Sequence, residues 1–486
     1  MSSDSRTSTV SPSNLRCSAL KARLPTSKAH TYSLPDAIYH SLLSRPEKAG
    51  LVFGYNFYIF WSMVTFYITT LGCKVNQYES QQIRQFLQSI GLSQTFKPEN
   101  ADIAVVRTCC ITRNASSKSR QAIKRIHKAN PDCVIIANGC LIDSETEEKP
   151  QDIESLVLQR KNQQLEKILE QVCGKLKTEE RIFESGLKNY GRQTRAFLKV
   201  QDGCDGFCSY CIIPKIRTDI SSKPLENVLH EAQELVDSGH REIVLTGVFL
   251  GAYGKETVKR SRWRQSVNRE FLKLVDSVAK MPGLERLRLS SVEPGDISEE
   301  LMEIYKSRTN LAPHFHISLQ SGSSRILKLM NRQYDSETFR QKIDLINESL
   351  HKPAVTTDII AGFPGETEAD FRKSIEMCRY CGFSKIHVFS YSSRKGTGAE
   401  NLNGHLPAGV IKQRAAELAE LGDRLAEKYR NSLAGQEAAV IIENENAQSG
   451  KCERYLDIKL TEGNFRRGQL VRAKILPSGK EAAPCR

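Results

Sequence analysis

Between Thr65 and about Val172 short apolar runs alternate with longer stretches of helical spacing. Phe66–Leu71, Ile103–Val106 and Val134–Ala137 have the length and β-branched content of strands, while Ser80–Ile90, Ser116–Ala129 and Leu165–Val172 space their apolar residues for helices. Such alternation predicts a parallel sheet with helices on both faces. Three of its strands run into a cysteine, at Gly72-Cys73, Thr108-Cys109 and Gly139-Cys140. The carboxyl ends of strands in an open α/β sheet share one edge, where ligands bind, so these three thiols are predicted to converge. A single cysteine there is most often a small buried hydrophobe; three at equivalent strand ends weigh against that bland reading.

A second series runs from Ala196 to about Ser393. Strands are predicted at Phe197–Val200, Glu242–Thr246, Arg286–Ser290, His314–Leu319, Ala354–Ile360 and Ile386–Tyr391, with helices at Glu226–Ser238, Phe271–Met281, Glu299–Lys306, Glu337–Leu350 and Glu368–Cys381. Six consecutive βα units predict a partial (β/α)6 barrel with its site at the C-terminal strand ends; a doubly wound sheet is the alternative. After a charged helical stretch, Ile411–Asn431, β-rich pieces at Ala438–Ile442, Leu456–Leu460 and Gln469–Ile475 predict a small β-barrel, either of an RNA-binding kind or a packing module. The chain is thus expected to be α/β, with an N-terminal parallel α/β sheet domain over 63–190, the partial barrel over 191–432 and the small β-barrel over 433–486.

No charged residue occurs from Ala49 to Cys73, and Leu51–Tyr67 is apolar enough to nominate a membrane span by length. Its overlap with Phe66–Leu71 reads better as a core strand, and Met63 stands just ahead of that strand. Translation from Met63 would make 1–62 a poorly ordered extension or start-site artefact, so no stable membrane association is expected.

At 486 residues, and roughly 150 per domain, the chain has material for several cores. With 39% hydrophobic and 26% charged residues it is neither membrane-embedded nor largely disordered. The net charge of +14 favours a polyanionic partner, nucleic acid or an acidic membrane surface. Part of that excess is local: Arg107, Arg113, Lys118, Arg120, Lys124, Arg125 and Lys128 fall in one stretch without an acid, beside two of the strand-end cysteines. This is either a solvated helix face or a phosphate-binding one, with Lys118, Arg120, Lys124 and Arg125 the candidate RNA contacts. Arg260-Ser-Arg-Trp-Arg264 sets basic residues around an aromatic that could stack on a base, or is a surface insertion. Fourteen cysteines without a secretory signal fit a reducing cytoplasm and thiolate metal ligands better than disulfides. No P-loop and no Gly-x-Gly-x-x-Gly fingerprint is present, so nucleotide hydrolysis and dinucleotide redox chemistry lack a motif.

The densest cysteine cluster follows the first predicted barrel strand: Cys204, Cys208 and Cys211 in a C-x3-C-x2-C spacing on a glycine-containing loop. Three thiolates can hold three irons of a cubane cluster and leave the fourth open. A structural zinc site wants a fourth protein ligand, and neither Cys nor His follows before His230. Cys378 and Cys381 also form C-x2-C, but on an amphipathic helix without a partner pair, and read as structural.

This triad resembles the radical S-adenosylmethionine (SAM) superfamily, whose open iron chelates SAM. The upstream wording Leu71-Gly-Cys-Lys-Val-Asn76, Thr108-Cys-Cys-Ile-Thr112 and Asn138-Gly-Cys140 resembles the methylthiotransferase family, and within it the MtaB-type branch acting on threonylcarbamoyladenosine in tRNA. The resemblance covers about Thr65 to Ile475. It implies two 4Fe-4S clusters, one on Cys204, Cys208 and Cys211 that cleaves SAM, and an auxiliary one on Cys73, Cys109 and Cys140 that supplies sulfur. Cys110 is an extra thiol, the motif register favouring Cys109. Further SAM contacts implied by the family are Thr246-Gly247, Glu293, Gln320-Ser-Gly322 and Gly362 in Gly-Phe-Pro-Gly365; each alone also reads as an ordinary strand-end turn. Two positions depart from the family pattern, Thr218 where Gly is usual and Ser318 where Pro is usual.

The implied reaction inserts a methylthio group at adenine C2, next to the tRNA anticodon. That aromatic C–H offers no acidic proton, so a cofactor-generated radical rather than acid/base chemistry must activate it. An external flavodoxin- or ferredoxin-like electron donor is implied, and a monomer is expected. The rival readings are a methylthiotransferase for isopentenyladenosine tRNA or for a ribosomal protein, and a non-catalytic iron-sulfur protein that binds RNA or senses redox state.

Overall fold

The computed structural model describes residues 64–150, 153–159, 182, 186–191 and 193–485. The predicted helix over Leu165–Val172, and the extension with Met63, lie outside these residues. Of the apolar run ending at Tyr67, the described part enters the first strand, where Phe66 is fully buried.

The first sheet comprises β1 (Thr65–Thr70), β2 (Ser93–Gln94), β3 (Ile103–Thr108), β4 (Val134–Gly139) and β5 (Leu156–Gln159), all parallel, in the order β2-β1-β3-β4-β5. β3 and β4 are buried at every residue, as unbroken Val/Ile runs in a doubly covered sheet should be. Helices leave the strand ends almost at once: α1 (Lys74–Ser89) after β1, α2 (Arg113–Ala129) after β3 and the single turn α3 (Cys140–Asp143) after β4. α1 buries Val75, Tyr78, Ile83, Phe86 and Leu87, the three-and-four spacing of one helical face.

The second unit has parallel strands β6 (Arg195–Asp202), β8 (Glu242–Gly247), β9 (Arg286–Leu289), β11 (His314–Ile317), β12 (Ala354–Ala361) and β13 (Lys385–Ser390), with the two-residue strands β7 (Ser221–Ser222) and β10 (Ser291–Val292) beside them. They pair as β7-β6-β8-β9 and β10-β11-β12-β13, joined where Leu287 of β9 bridges Leu311. The six parallel strands therefore stand in sequence order as an open, partial (β/α)6 barrel. Its last strand is covered by the long helix Ala408–Ser432. Cys378 and Cys381 are buried in the core.

The third unit is a closed barrel, β14 (Glu437–Asn444), β15 (Ser449–Cys452), β16 (Asp457–Leu460), β17 (Leu470–Ile475) and β18 (Glu481–Pro484). The sequence pattern does not predict β15 and β18: the first carries Gly450 and the second is Ala-rich with a Pro, so neither has a strand's composition. This barrel packs on the amino-terminal ends of the larger one. Glu242 is buried between Arg286 and Arg288, whose remaining donors reach the carbonyls of Lys451 at 3.1 Å and Glu453 at 3.0 Å. The carboxyl ends of β6 to β13 are left for the cysteine loops. No helix among the described residues is long and apolar enough to cross a membrane.

Candidate iron-sulfur and substrate site

Each strand-end cysteine sits where a strand gives way to a helix. Cys73 caps α1, Cys109 follows β3, and Cys140 opens α3. Glycine makes their approach possible: at Gly72, with φ +102°, a Cβ would stand 2.8 Å from Cys109 Cβ and 3.0 Å from its Sγ. At Gly139, with φ +95°, a Cβ would meet the Thr108 carbonyl at 2.8 Å. Ser119 of α2 fixes Cys109 by donating to its carbonyl at 2.9 Å and accepting its N–H at 3.0 Å. Burial pushes the Cys140 thiol up to about 12 against the neighbouring Arg217, and raises Cys109. Cys110 points elsewhere, with its thiol on the Cys140 carbonyl at 3.2 Å inside an apolar cluster.

The second set lies on the loop after β6. Gly206 N–H donates to Cys204 Sγ at 3.3 Å, and Arg332 Nη1 stands 3.1 Å from Cys208 Sγ. Burial pushes Cys204 up to about 11 and Cys211 up to about 12. The donor set fits an iron-sulfur cluster: all sulfur, three thiols per set, with N–H donors aimed at sulfur as cluster sites have. Among the described residues no three His, Cys, Asp or Glu side chains could hold a single ion.

The two sets meet across one ion network. Glu79 of α1, fully buried, takes Lys199 at 3.0 Å, Arg217 at 2.9 Å and Arg107. Burial alone would raise its carboxyl, but Arg217, Lys199 and Arg107 outweigh it and hold Glu79 well below the usual range. Arg217 also binds Asp202 at 2.9 Å and Asn76 Oδ1 at 3.1 Å. From the far edge of the partial barrel, Arg394 reaches the Cys110 carbonyl, Ser116 Oγ at 2.9 Å and Glu147 at 2.8 Å.

A cavity of about 160 Å³ is walled by residues next to each set. Ile111 and Thr112 wall it on one side, Tyr210 and Gln320 on others, and Asp358, Ile360 and Phe389–Ser392 complete it. Of the residues singled out as SAM contacts, only Gln320 lines it, in the left-handed region at φ +63° with its N–H on Asp358 O at 2.8 Å. Glu293 faces Arg332 in an ion pair beside Cys208. Gly247 ends β8 against Gln201, and Gly362 packs on Ile411 with its N–H given to Glu366 at 3.0 Å. Thr218 is exposed, its φ is not positive and its hydroxyl donates to Asp219 at 3.1 Å, so nothing there requires glycine. Ser318 is buried, and its carbonyl accepts from Tyr334.

Two family models match: the Radical SAM superfamily over residues 198–378 and Uncharacterized protein family UPF0004 over residues 65–158. The threonylcarbamoyladenosine tRNA methylthiotransferase MtaB of Bacillus subtilis is 34% identical over 86% of this chain and 95% of its own length. The chain belongs to the radical SAM methylthiotransferase family. The MtaB of Thermotoga maritima matches at 35% over 85% and 95%. A second branch, the tRNA-2-methylthio-N(6)-dimethylallyladenosine synthase of Clostridium tetani, matches at 32% over 85% and 93%. Among solved structures, the radical SAM methyltransferase TsrM of Kitasatospora setae superposes at TM-score 0.47 and 12% identity over 67% of this chain and 73% of that one.

In this methylthiotransferase the basic helix α2 starts one residue past the cavity wall at Thr112, which caps it by accepting from Ala115 N–H at 3.1 Å. Lys118, Lys124 and Arg125 are exposed on it. Arg120 is half-buried, with Nη1 on the Glu148 carbonyl at 3.3 Å. Arg107 is a correction to the sequence reading: it is fully buried on Glu79 and offers nothing to a phosphate. Arg332, Asp358 and Arg394 are not announced by the sequence, because Glu293, Gln320 and the Cys110 carbonyl that they meet lie more than thirty residues away.

Proposed function

We propose that this methylthiotransferase inserts a methylthio group at adenine C2 of threonylcarbamoyladenosine, beside the anticodon of tRNA. Cys204, Cys208 and Cys211 would hold the SAM-binding 4Fe-4S cluster, and Cys73, Cys109 and Cys140 a second one. When bound, these groups supply the radical chemistry and the sulfur that no side chain can. The supporting observation is that a single cavity is walled by Ile111 and Thr112, just past Cys109, and by Tyr210, between Cys208 and Cys211. Ile111, Ile360 and Phe389 give that space apolar walls, while Tyr210, Gln320 and Asp358 offer polar atoms to orient a base. Glu293, Gly247 and Gly362 stand at neighbouring strand ends as further SAM contacts.

In this reading 63–190 carries the auxiliary cluster, 191–432 the SAM-cleaving site and 433–486 an RNA-binding barrel, with 1–62 as an extension. Lys118, Lys124 and Arg125 hold backbone phosphates, with Arg120 in support, and the enzyme works as a cytoplasmic monomer fed by an external electron donor. The dimethylallyladenosine relatives keep one second reading open, in which the neighbouring base modification differs. The test is mass spectrometry of nucleosides from two tRNAs, one bearing threonylcarbamoyladenosine and one dimethylallyladenosine, after anaerobic incubation with reconstituted enzyme, SAM and reductant. A methylthio product on the first alone is expected; product on the second alone overturns the branch.

A further inference from the structure

The loop that carries Cys208 is docked on Leu329–Arg332 almost residue by residue. Asn331, in the left-handed region at φ +53°, donates from Nδ2 to the Phe207 carbonyl at 3.2 Å. Ser209 gives its N–H to the Met330 carbonyl at 3.0 Å and its hydroxyl to the Leu329 carbonyl at 2.8 Å. Arg332 then joins the two side chains on either side of Ser209: its Nη1 donates to Cys208 Sγ at 3.1 Å and to Tyr210 Oη at 3.3 Å. The rest of the guanidinium is committed. Nη2 pairs with Glu293, Nε donates to Tyr334 Oη at 3.2 Å, and the Tyr334 hydroxyl is itself spent on the Ser318 carbonyl. With its side chain 7% exposed, Arg332 is held on every side. Tyr210, for its part, is a wall of the cavity. A continuous polar path therefore runs from the cavity through Tyr210 and Arg332 to one cysteine sulfur.

We propose that Arg332 is a positioning residue with two tasks, raising the reduction potential of the centre held by Cys208 and orienting Tyr210 as a contact for the substrate base. The proposal rests on reading Cys204, Cys208 and Cys211 as cluster ligands and the cavity as the substrate's. A charged N–H aimed at a ligand sulfur favours the more negative, reduced form of a cluster, and hydrogen bonds to the sulfurs are among the factors that set its potential. Glu293 adds to the sign: without Arg332 its carboxylate would stand uncompensated beside the same sulfur, lowering the potential further. The step concerned adds one electron to the centre, taken from an external one-electron reductant that is oxidised by one; no bond forms or breaks in it. On the cavity side, Tyr210 Oη accepts from Arg332 and makes no other hydrogen bond among the described residues, so its own O–H is left to donate to a base.

The test uses the full-length chain, reconstituted without SAM, with Cys73, Cys109 and Cys140 changed to Ala so that a single centre reports. Its potential is read by electron paramagnetic resonance (EPR) during stepwise reduction with dithionite. Arg332→Gln, with iron content retained, should shift the reduction equilibrium about tenfold or more toward the oxidised form, about 59 mV for one electron, and Arg332→Lys should recover part of it. Tyr210→Phe should leave the potential at the parent's value, while weakening binding of a tRNA bearing threonylcarbamoyladenosine by about threefold to tenfold, the worth of one hydrogen bond. An Arg332→Gln potential equal to the parent's overturns the proposal, and so does an equal fall in Tyr210→Phe, which would assign the effect to the phenol. A measurement that needs no variant at Arg332 is pulsed EPR of the reduced parent, grown with arginine isotopically labelled at the guanidinium nitrogens. A nitrogen coupling to the centre is expected, and its absence overturns the proposal. A parent that takes up no iron fails the cluster reading itself; a parent that holds a reducible cluster with none of these effects fails this proposal alone.

Discussion

The main-chain carbonyl of Arg217 accepts the N–H of Cys204 at 2.9 Å, while the Arg217 guanidinium reaches Glu79 on α1, also at 2.9 Å. One residue thus ties the loop of the second cysteine set to the helix that Cys73 caps. Removing Arg217 leaves buried carboxylates short of a cation, a loss of about 3–5 kcal/mol for a broken buried pair. Arg217→Ala should therefore lower the denaturant midpoint markedly, with Arg217→Lys recovering part of it, as chemical denaturation would measure.

The same network sets an acid limit. Glu79 and Asp202 are both held below their ordinary values, burial opposing the shift and the cations overriding it. A carboxylate depressed in the folded state contributes stability above its unfolded value, near 4, and loses it as pH falls toward the folded value. Stability should be flat above about pH 5 and decline below about pH 4. In Glu79→Gln that decline should be shallower, although the protein starts less stable at neutral pH.

Much of this was legible in the chain. Ile103–Thr108 is buried at every position, and its apolar run says so. Cys204, Cys208 and Cys211 stand out by their spacing, and Cys73, Cys109 and Cys140 by their places at the ends of predicted strands. What could not be read is any contact whose partner is remote. Arg107 looks like one more cation in a basic run, and only the placement of Glu79 on the adjacent helix turns it inward. Arg394 is 284 residues from the Cys110 carbonyl it holds, and nothing in its neighbours announces this. Gly362 is a further case: its N–H goes to Glu366 and Ile411 closes on it from the long C-terminal helix, contacts that its glycine-rich stretch does not announce.

Register at the Cys109-Cys110 pair can be tested by iron analysis. Two clusters correspond to about eight irons per chain. Cys109 faces Gly72 and Cys73, whereas Cys110 is turned to the Cys140 carbonyl. Cys109→Ala should fall to about four irons, and Cys110→Ala should keep about eight; the opposite pattern would move the ligand by one residue.

The α2 cations should behave as phosphate ligands. Neutralising Lys118, Lys124 and Arg125 should weaken tRNA binding and lower the log-log salt slope by about one for each phosphate no longer neutralised. Arg120 should add less, since its guanidinium is already engaged by the Glu148 carbonyl. An unchanged slope across salt titrations would return the helix to a solvated face.

The proposed function gives two cysteine sets separate tasks, with residues next to each set walling one cavity. It is tested most directly by measuring 5′-deoxyadenosine and methylthio nucleoside side by side in the variant with Cys73, Cys109 and Cys140 all changed to Ala. SAM cleavage should continue while the methylthio product disappears. Loss of both, in a variant that retains about four irons, or persistence of the methylthio product, would contradict it.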